Sequence, residues 1–506
     1  MMDNALKALK SRDREMVLLE HIIAVLHWDQ ETGMPEAAVN ERADQLSMLN
    51  GLLHEKVTDS DLGSILNDLG ASDAHPLGDS SLSEEDRGLV RTYYREYSRE
   101  KKIPASWVKE FTEVTAKGQA VWAKARKTSD FPLFKPYLEQ VVKLNRERSS
   151  LLGYTDHPYD PLLDEYEPGM KTAEVAQVFA AMKLDLVTLL ERIQIAGEVD
   201  DTFLYREYPK AGQDAFGRMV LKDMGYDFSR GRLDESTHPF TTSLGADDVR
   251  ITTRYTEPSV SSSLFSTIHE GGHALYEMGA SAGSLAGTGI GTGASLAMHE
   301  SQSRLWENVV GRSKAFWTHY YSRFTKHFAQ QTKGITMDAF LRGINKVQPS
   351  FIRVDADEVS YGLHVILRFE LEQALITGDL SVEDVPHAWN SKMKELLGIV
   401  PQTDADGVLQ DVHWAFGMIG YFPTYALGNL YGAQLFASLE REVPDIHDQI
   451  SRGELGEVLT WMRDRIHQYG AIYSAPELLE RATGSPLDPA HFTAYLEKKY
   501  SDLMGI

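Results

Sequence analysis

Residues 269–273 read HEGGH. Histidines four residues apart can reach one metal ion only if the stretch between them is α-helical. The constraint is severe, because Gly271 and Gly272 stand in the middle and each glycine costs a helix roughly 1 kcal/mol relative to alanine. At about 100° per residue, His269 and His273 fall on one face of such a helix. Glu270 falls beside that face, where a carboxylate can act as a general base toward water. Leu264, Ile268 and Leu275 fall on the opposite side and form a stripe suited to a core, while Ser261, Ser262 or Ser263 can cap the helix start. Gly271 lines up with the apolar stripe, so its small size predicts close approach of a core helix. Gly272 sits at the edge of the histidine face, leaving room for substrate or for another ligand-bearing helix.

Two histidines are not a complete catalytic site, which ordinarily has three protein ligands and an open position. The extended pattern HExxHxxGxxH fails, since its glycine position holds Tyr276 and its last histidine position holds Gly279. Glu277 is a further turn, about 6 Å, along the same helix and is poorly placed. The missing ligand must come from another helix. The best candidate is Glu300 in "MHESQSRLWENVV", which follows a Gly-rich connection. On a helix it shares a side with Ser303 or Arg304 and with Glu307. His299 is the rival.

Composition narrows the remaining possibilities. The chain has no cysteine, which excludes disulfides, thiolate catalysis and Cys-ligated metal. With a formal charge of −23 over 506 residues, it is a poor partner for nucleic acid or an anionic membrane. No run approaches the 18 or so apolar residues that span a bilayer. The N-terminus is interrupted by charges and has no signal-peptide core. The expectation is a cytoplasmic protein.

The pattern is mostly helical, as in "SWVKEFTEVTAKGQAVWAKA" with Ser106 as cap, "YGLHVILRFELEQALI" and "NLYGAQLFASLEREV". Loops are expected at 70–86 and 400–407. One strand is expected, "DVRITTRYT", in which Val249, Ile251, Thr253 and Tyr255 alternate with Arg250, Thr252 and Arg254. At a sheet edge it could pair with an extended peptide, or it could be a structural hairpin strand. Two weaker patterns are set aside. "GTGIGTGA" approaches a dinucleotide fingerprint but no apolar strand precedes it. "DADG" lacks the remaining acids of a calcium loop.

Together these residues resemble the carboxypeptidase Taq family of zinc metallocarboxypeptidases. The signature is HExxH followed by HES-Q-S-R, here His269–His273 and His299–Arg304. "HWDQETGMPEAAVNERADQL", "HPYDPLLDEYEPGM", "DVRIT", "IRVDADEVSYGLH" and "GVLQDVHWAFGMIGYFPTYALGN" match further family blocks in order. One departure stands near the C-terminus, where "YGAIYSAPELL" replaces the family's frequent Gly-Arg and puts a local contact in doubt.

The resemblance implies a mainly α, neurolysin-like zincin with a deep central groove and a small β-sheet beside the HExxH helix. It implies one peptidase domain over 1–506, with an N-terminal helical half of roughly 1–235 and a metal-binding half of roughly 236–506. It implies broad removal of single residues from peptide C-termini, and commonly a homodimer. His269, His273 and Glu300 would hold Zn2+, or Co2+ or Mn2+ in its place, and Glu270 would handle the proton. His413 and Tyr425, or Tyr421, occupy the stretch that supplies oxyanion donors in related zincins.

The substrate's free carboxylate calls for arginine. Arg250 on the strand and Arg353 are the candidates, with Gln410 and His238 as polar helpers. Arg353 could instead pair internally with Asp355 or Asp357. Asp357 could alternatively orient a metal histidine, and Asp248 could be a plain turn residue. Two other functions fit the same residues: a zinc oligopeptidase cutting inside short peptides, and an inactive peptide-binding protein. The intact Glu270 argues against the latter.

Overall fold

The structure is a computed structural model and describes residues 2–506. It is 67% helical with a single three-stranded sheet among the described residues, which makes the mainly α class correct. No described helix is long and apolar enough to cross a membrane.

The chain forms two compact units, each assembled from separate segments. The first comprises Met1–Lys101, Asp200–Ile344 and Leu435–Pro486. The second comprises Lys102–Val199, Asn345–Gln434 and Leu487–Ile506. The first carries the sheet and the HEGGH motif. The second carries the helix Ala105–Thr128, whose N-cap is Pro104 rather than Ser106. It also carries the nearly all-buried helix Ser360–Thr377.

In the first unit, strands β1 (Leu233–Glu235), β2 (Thr241–Gly245) and β3 (Asp248–Thr253) lie in the order β1-β3-β2. β3 pairs parallel with β1 and antiparallel with β2, so Ile251 faces Leu233 on one side and Thr241 on the other. The strand is therefore shorter than its alternating pattern, ending before Arg254 and Tyr255. It is also central. Its backbone groups are spent on two neighbours, so of its two readings the structural strand holds and the peptide-pairing edge does not. β2 and β1 are the edges.

The HEGGH motif lies on the helix Val260–Ala280. Its N-cap is Ser259 and makes no side-chain cap bond, so none of the three serines that follow serves as the cap. Instead Ser263 hydrogen-bonds to the buried Gln213, and Thr267 donates to Thr253 at the end of β3 at 3.1 Å. Leu264, Ile268 and Leu275 are buried, as the stripe requires. This helix is held by packing on both sides, which offsets the weak helix propensity of its glycines.

Each glycine has a separate neighbour. A Cβ on Gly271 would stand 2.5 Å from Leu221 Cδ2 and 3.2 Å from Met224 Cε, both on the helix Lys210–Met224. A Cβ on Gly272 would stand 2.7 Å from both the Gln302 carbonyl oxygen and Ser303 Cα. The first obstacle is the end of flexible side chains; the second is backbone. Gly271→Ala should therefore be mild, since repacking is offset by about 1 kcal/mol of helix propensity. Gly272→Ala should cost about 1–3 kcal/mol by overpacking. Urea unfolding of the metal-free protein checks this, and equal losses at the two positions would contradict it.

Candidate active site

The helix Leu296–Arg304 begins with Ser295, whose hydroxyl accepts the Met298 amide. It presents Glu300 to the HEGGH helix where Gly272 permits close approach. Glu300 Oε2 lies 3.6 Å from His269 Nε2 and 3.5 Å from His273 Nε2. All three donor atoms lie within 4.8 Å of one another. Metal bonds of about 2.1 Å in a tetrahedron separate neighbouring donors by roughly 3.4 Å. Two imidazoles and one carboxylate at this spacing fit a divalent ion.

The rest of each ligand is held. His269 Nδ1 lies 2.9 Å from Glu307 Oε2, and His273 Nδ1 lies 2.6 Å from His299 Nδ1. Both Nε2 atoms are thereby left to face Glu300. Glu300 Oε1 accepts from Arg304 Nε at 2.7 Å, which leaves Oε2 for the imidazoles. Glu307 sits in a π-helical turn, Leu305–Val310, and also receives Arg304 at 3.2 Å and Arg312 at 3.3 Å. Such turns often mark functional sites. His299 stands behind His273, outside the group of donor atoms formed by His269, His273 and Glu300.

Burial and charge compete at every group. Burial raises the Glu300 carboxyl, but Arg304, His269 and His273 together hold it well below the usual carboxylate range. Burial likewise opposes Arg304, His269 and Arg312 at Glu307, which settles at about 2. Burial pushes His273 down to about 3, with His299 and His269 adding to it and Glu300 opposing. His269 is the exception: burial lowers it, yet Glu300 and Glu307 outweigh that and raise it.

Glu270 is buried, and burial raises its carboxyl above the ordinary 4.5. Thr241, the first residue of β2, donates to its Oε2 at 2.7 Å. That hydroxyl favours the carboxylate form and aims it. Thr241 lies outside every motif and was not legible in the sequence.

Arg250 and His238 belong to the same unit but lie elsewhere on the sheet. Arg250 forms a bidentate pair with Asp248 at 2.8 and 2.7 Å and stacks 4.4 Å over the Trp28 ring. Asp248 is thus an ion-pair partner as well as the first residue of its strand. His238 is exposed between β1 and β2, and its carbonyl accepts the Ser236 hydroxyl.

The second unit gathers the remaining candidates. His413 Nε2 lies 3.2 Å from the Tyr425 hydroxyl, and the Tyr421 ring packs against both, with centroids 5.4 and 5.2 Å away. Burial lowers His413 to about 4, partly opposed by Asp411. Arg353 is buried, and its partner is Asp411, at 2.9 Å, rather than Asp355 or Asp357. It also donates to Tyr361 at 2.9 Å and lies 4.7 Å over the Tyr425 ring. The other Asp411 oxygen accepts from the fully buried Arg368 at 2.6 Å. Gln410 bridges the two arginines, accepting from the Arg353 amide at 2.8 Å and from Arg368 at 2.7 Å. Asp357 does not serve as an orienter of a metal histidine. Its oxygens accept from the amides of Gln348, Val359 and Ser360 and from the Ser360 hydroxyl.

Comparison with known proteins gives a consistent picture. The family described as carboxypeptidase Taq (M32) metallopeptidase matches residues 8–500. The chain is 41% identical to carboxypeptidase 1 of Bacillus subtilis, over 95% of each chain. It is 42% identical to thermostable carboxypeptidase 1 of Thermus thermophilus, over 97% of each. Among solved structures, M32 carboxypeptidase from Deinococcus radiodurans R1 superposes with a TM-score of 0.95 at 39% identity, covering 99% of this chain and 100% of that one.

The raised Glu270 carboxyl sets a pH expectation. In the metal-free protein the carboxyl is ionised above the raised value and protonated as pH falls through it, and that value lies above 4.5. Thr241→Val removes a contact that lowers the value and should move it further up, followed by carboxyl NMR of the metal-free protein. An unmoved titration would count against the Thr241 contact.

Proposed function

The chain belongs to the carboxypeptidase Taq (M32) metallopeptidase family, and on that premise we propose that it removes single residues from the free C-termini of peptides. The reading assigns zinc to His269, His273 and Glu300, with cobalt and manganese as the ions the same donors would accept. One observation carries it: two donor separations of 3.6 and 3.5 Å at Glu300, close to the edge of a metal tetrahedron, with both imidazoles turned to offer Nε2.

Charge supports the same assignment. Glu270, Glu277 and Glu307 are buried around the site and Glu300 is half-buried, while Arg304 and Arg312 are guanidiniums paired to Glu300 and Glu307. Fully ionised, the four carboxylates exceed the two guanidiniums by two negative charges, which a divalent cation cancels. A bound ion of this kind supplies Lewis acidity, polarising a carbonyl and making a water acidic.

Glu270 takes the proton from the attacking water and hands it to the departing amine. Thr241 keeps the receiving oxygen aimed. His413 and Tyr425 supply the hydrogen-bond donors for the oxyanion, with Tyr421 as the alternative hydroxyl. His413 is neutral at pH 7, so it donates from one nitrogen. Arg353 and Arg250 stay the candidates for the substrate carboxylate, each holding an aspartate, Asp411 and Asp248, that the substrate would have to compete with, and Gln410 and His238 stay the polar helpers. The reading treats the whole chain as one peptidase domain, since the chain passes from one unit to the other after residues 101, 199, 344, 434 and 486. A cytoplasmic homodimer is the form the family resemblance favours.

The deciding assay uses a defined peptide and its C-terminally amidated twin. Stepwise loss of single residues from the free acid alone is expected; equal internal cleavage of both twins points to an oligopeptidase and sinks the carboxypeptidase reading. Glu270→Gln should retain metal, counted by elemental analysis, while turnover drops by about 10²–10⁴. Turnover at the parent level would falsify the role given to Glu270.

A further inference from the structure

The Gly-rich connection ahead of the Glu300 helix has no part in the peptidase reading, yet two of its residues, Thr292 and Gly293, reach the metal site. The Thr292 hydroxyl donates to Glu277 Oε1 at 2.9 Å, and the Gly293 amide also bonds to Glu277. The same Oε1 lies 2.8 Å from His299 Nε2. His299 Nδ1 in turn lies 2.6 Å from His273 Nδ1. The connection closes tightly here: a Cβ on Gly293 would stand 2.7 Å from His299 Cδ2 and 3.0 Å from Tyr276 Cε1. The Tyr276 hydroxyl accepts the Ala294 amide at 3.1 Å, and its ring packs 5.2 Å from that of His299.

The protons in this chain can run in only one direction. A histidine that offers Nε2 to a metal carries its proton on Nδ1. His273 Nδ1 is then a donor, so His299 Nδ1 must accept. His299 therefore carries its own proton on Nε2, and the acceptor that meets it is the Glu277 carboxylate. The Thr292 hydroxyl and the Gly293 amide are donors too, so the carboxylate is the one terminus that satisfies every member.

We infer that Glu277 and His299, clamped by Thr292 and Gly293, are positioning residues that set the tautomer and ring orientation of His273 for metal binding. The inference rests on the ligand assignment proposed above. The two ligand histidines are thus oriented by different devices: His269 meets the Glu307 carboxylate directly, whereas His273 meets the Glu277 carboxylate through a neutral imidazole. Partners of this kind are worth about 10–100-fold in metal affinity.

The test strips the full chain of metal and titrates it with zinc against a chromophoric chelator. His299→Leu should weaken zinc binding about 10–100-fold. His299→Asn, whose side-chain oxygen stands near the position of Nδ1, should lose distinctly less. Glu277→Leu should weaken binding in the parent protein but have no further effect on top of His299→Leu or His299→Asn, because it acts through the imidazole. Parent-like affinity in His299→Leu, equal losses for Leu and Asn, or an undiminished Glu277→Leu effect without His299 would each overturn the relay. If His299→Leu does not fold, Glu277→Leu measured with and without His299→Asn decides the matter alone. His273→Ala separates the two assignments. Unchanged zinc affinity there refutes the ligand set, whereas lost affinity there with parent-like His299→Leu refutes only the relay.

Discussion

The site depends on how closely two helix backbones approach at Gly272. A side chain there would meet the Gln302 carbonyl and Ser303 Cα at 2.7 Å, which is closer than non-bonded atoms tolerate. Remove the Cβ, and the helix Leu296–Arg304 can lie directly against the HEGGH helix. Glu300 then reaches both imidazoles without stretching. The opposite side of the same turn repeats the device, with Gly271 admitting Leu221 and Met224. The intrinsic helix weakness of two adjacent glycines is offset by contacts that only glycine allows.

Close packing creates an electrostatic problem that the same helices answer. Ionised carboxylates are costly to bury without partners. Glu300 and Glu307 share Arg304, and Glu307 also takes Arg312. Glu277 is held by hydroxyl, amide and imidazole instead. These contacts divide the labour between oxygens: at Glu300 one faces the guanidinium and the other faces the histidines. Against burial, Arg304, His269 and Arg312 hold Glu307 low, whereas at His273 burial itself lowers the imidazole and Glu300 opposes it. The second unit shows a related economy, with one aspartate, Asp411, joining Arg353 to Arg368.

Where the sequence leaves alternatives open, distant neighbours decide between them. The alternation in "DVRITTRYT" correctly located a strand, but alternation reports faces and says nothing about edges. Neighbouring strands on both sides left β3 unable to serve as an edge. For Arg353 the sequence offers a pair with nearby Asp355 or Asp357 as one alternative, because sequence distance is the only distance it contains; its partner is 58 positions away. Three serines at the helix start looked like caps, but local capping lost to packing and to the Ser263–Gln213 contact. Thr241 and the Glu277–His299 chain left no sequence signal, because a lone threonine or glutamate acquires its role only from what folding brings beside it.

The sequence by itself determined the chemistry available. No cysteine, two histidines one turn apart, an adjacent glutamate and a later HES point to a His/His/Glu donor set with a further carboxylate beside it. They do so because helical spacing is a local property, settled by the residues between. The glycine assignments were legible for the same reason. Tertiary structure alone decided how near Glu300 comes to both imidazoles, which groups meet the Nδ1 atoms of His269 and His273, and which oxygen of Glu270 is held. Each of those depends on the spacing of separate elements, where a shift of 1 Å exchanges a ligand for an orienter, and no local pattern records such a shift.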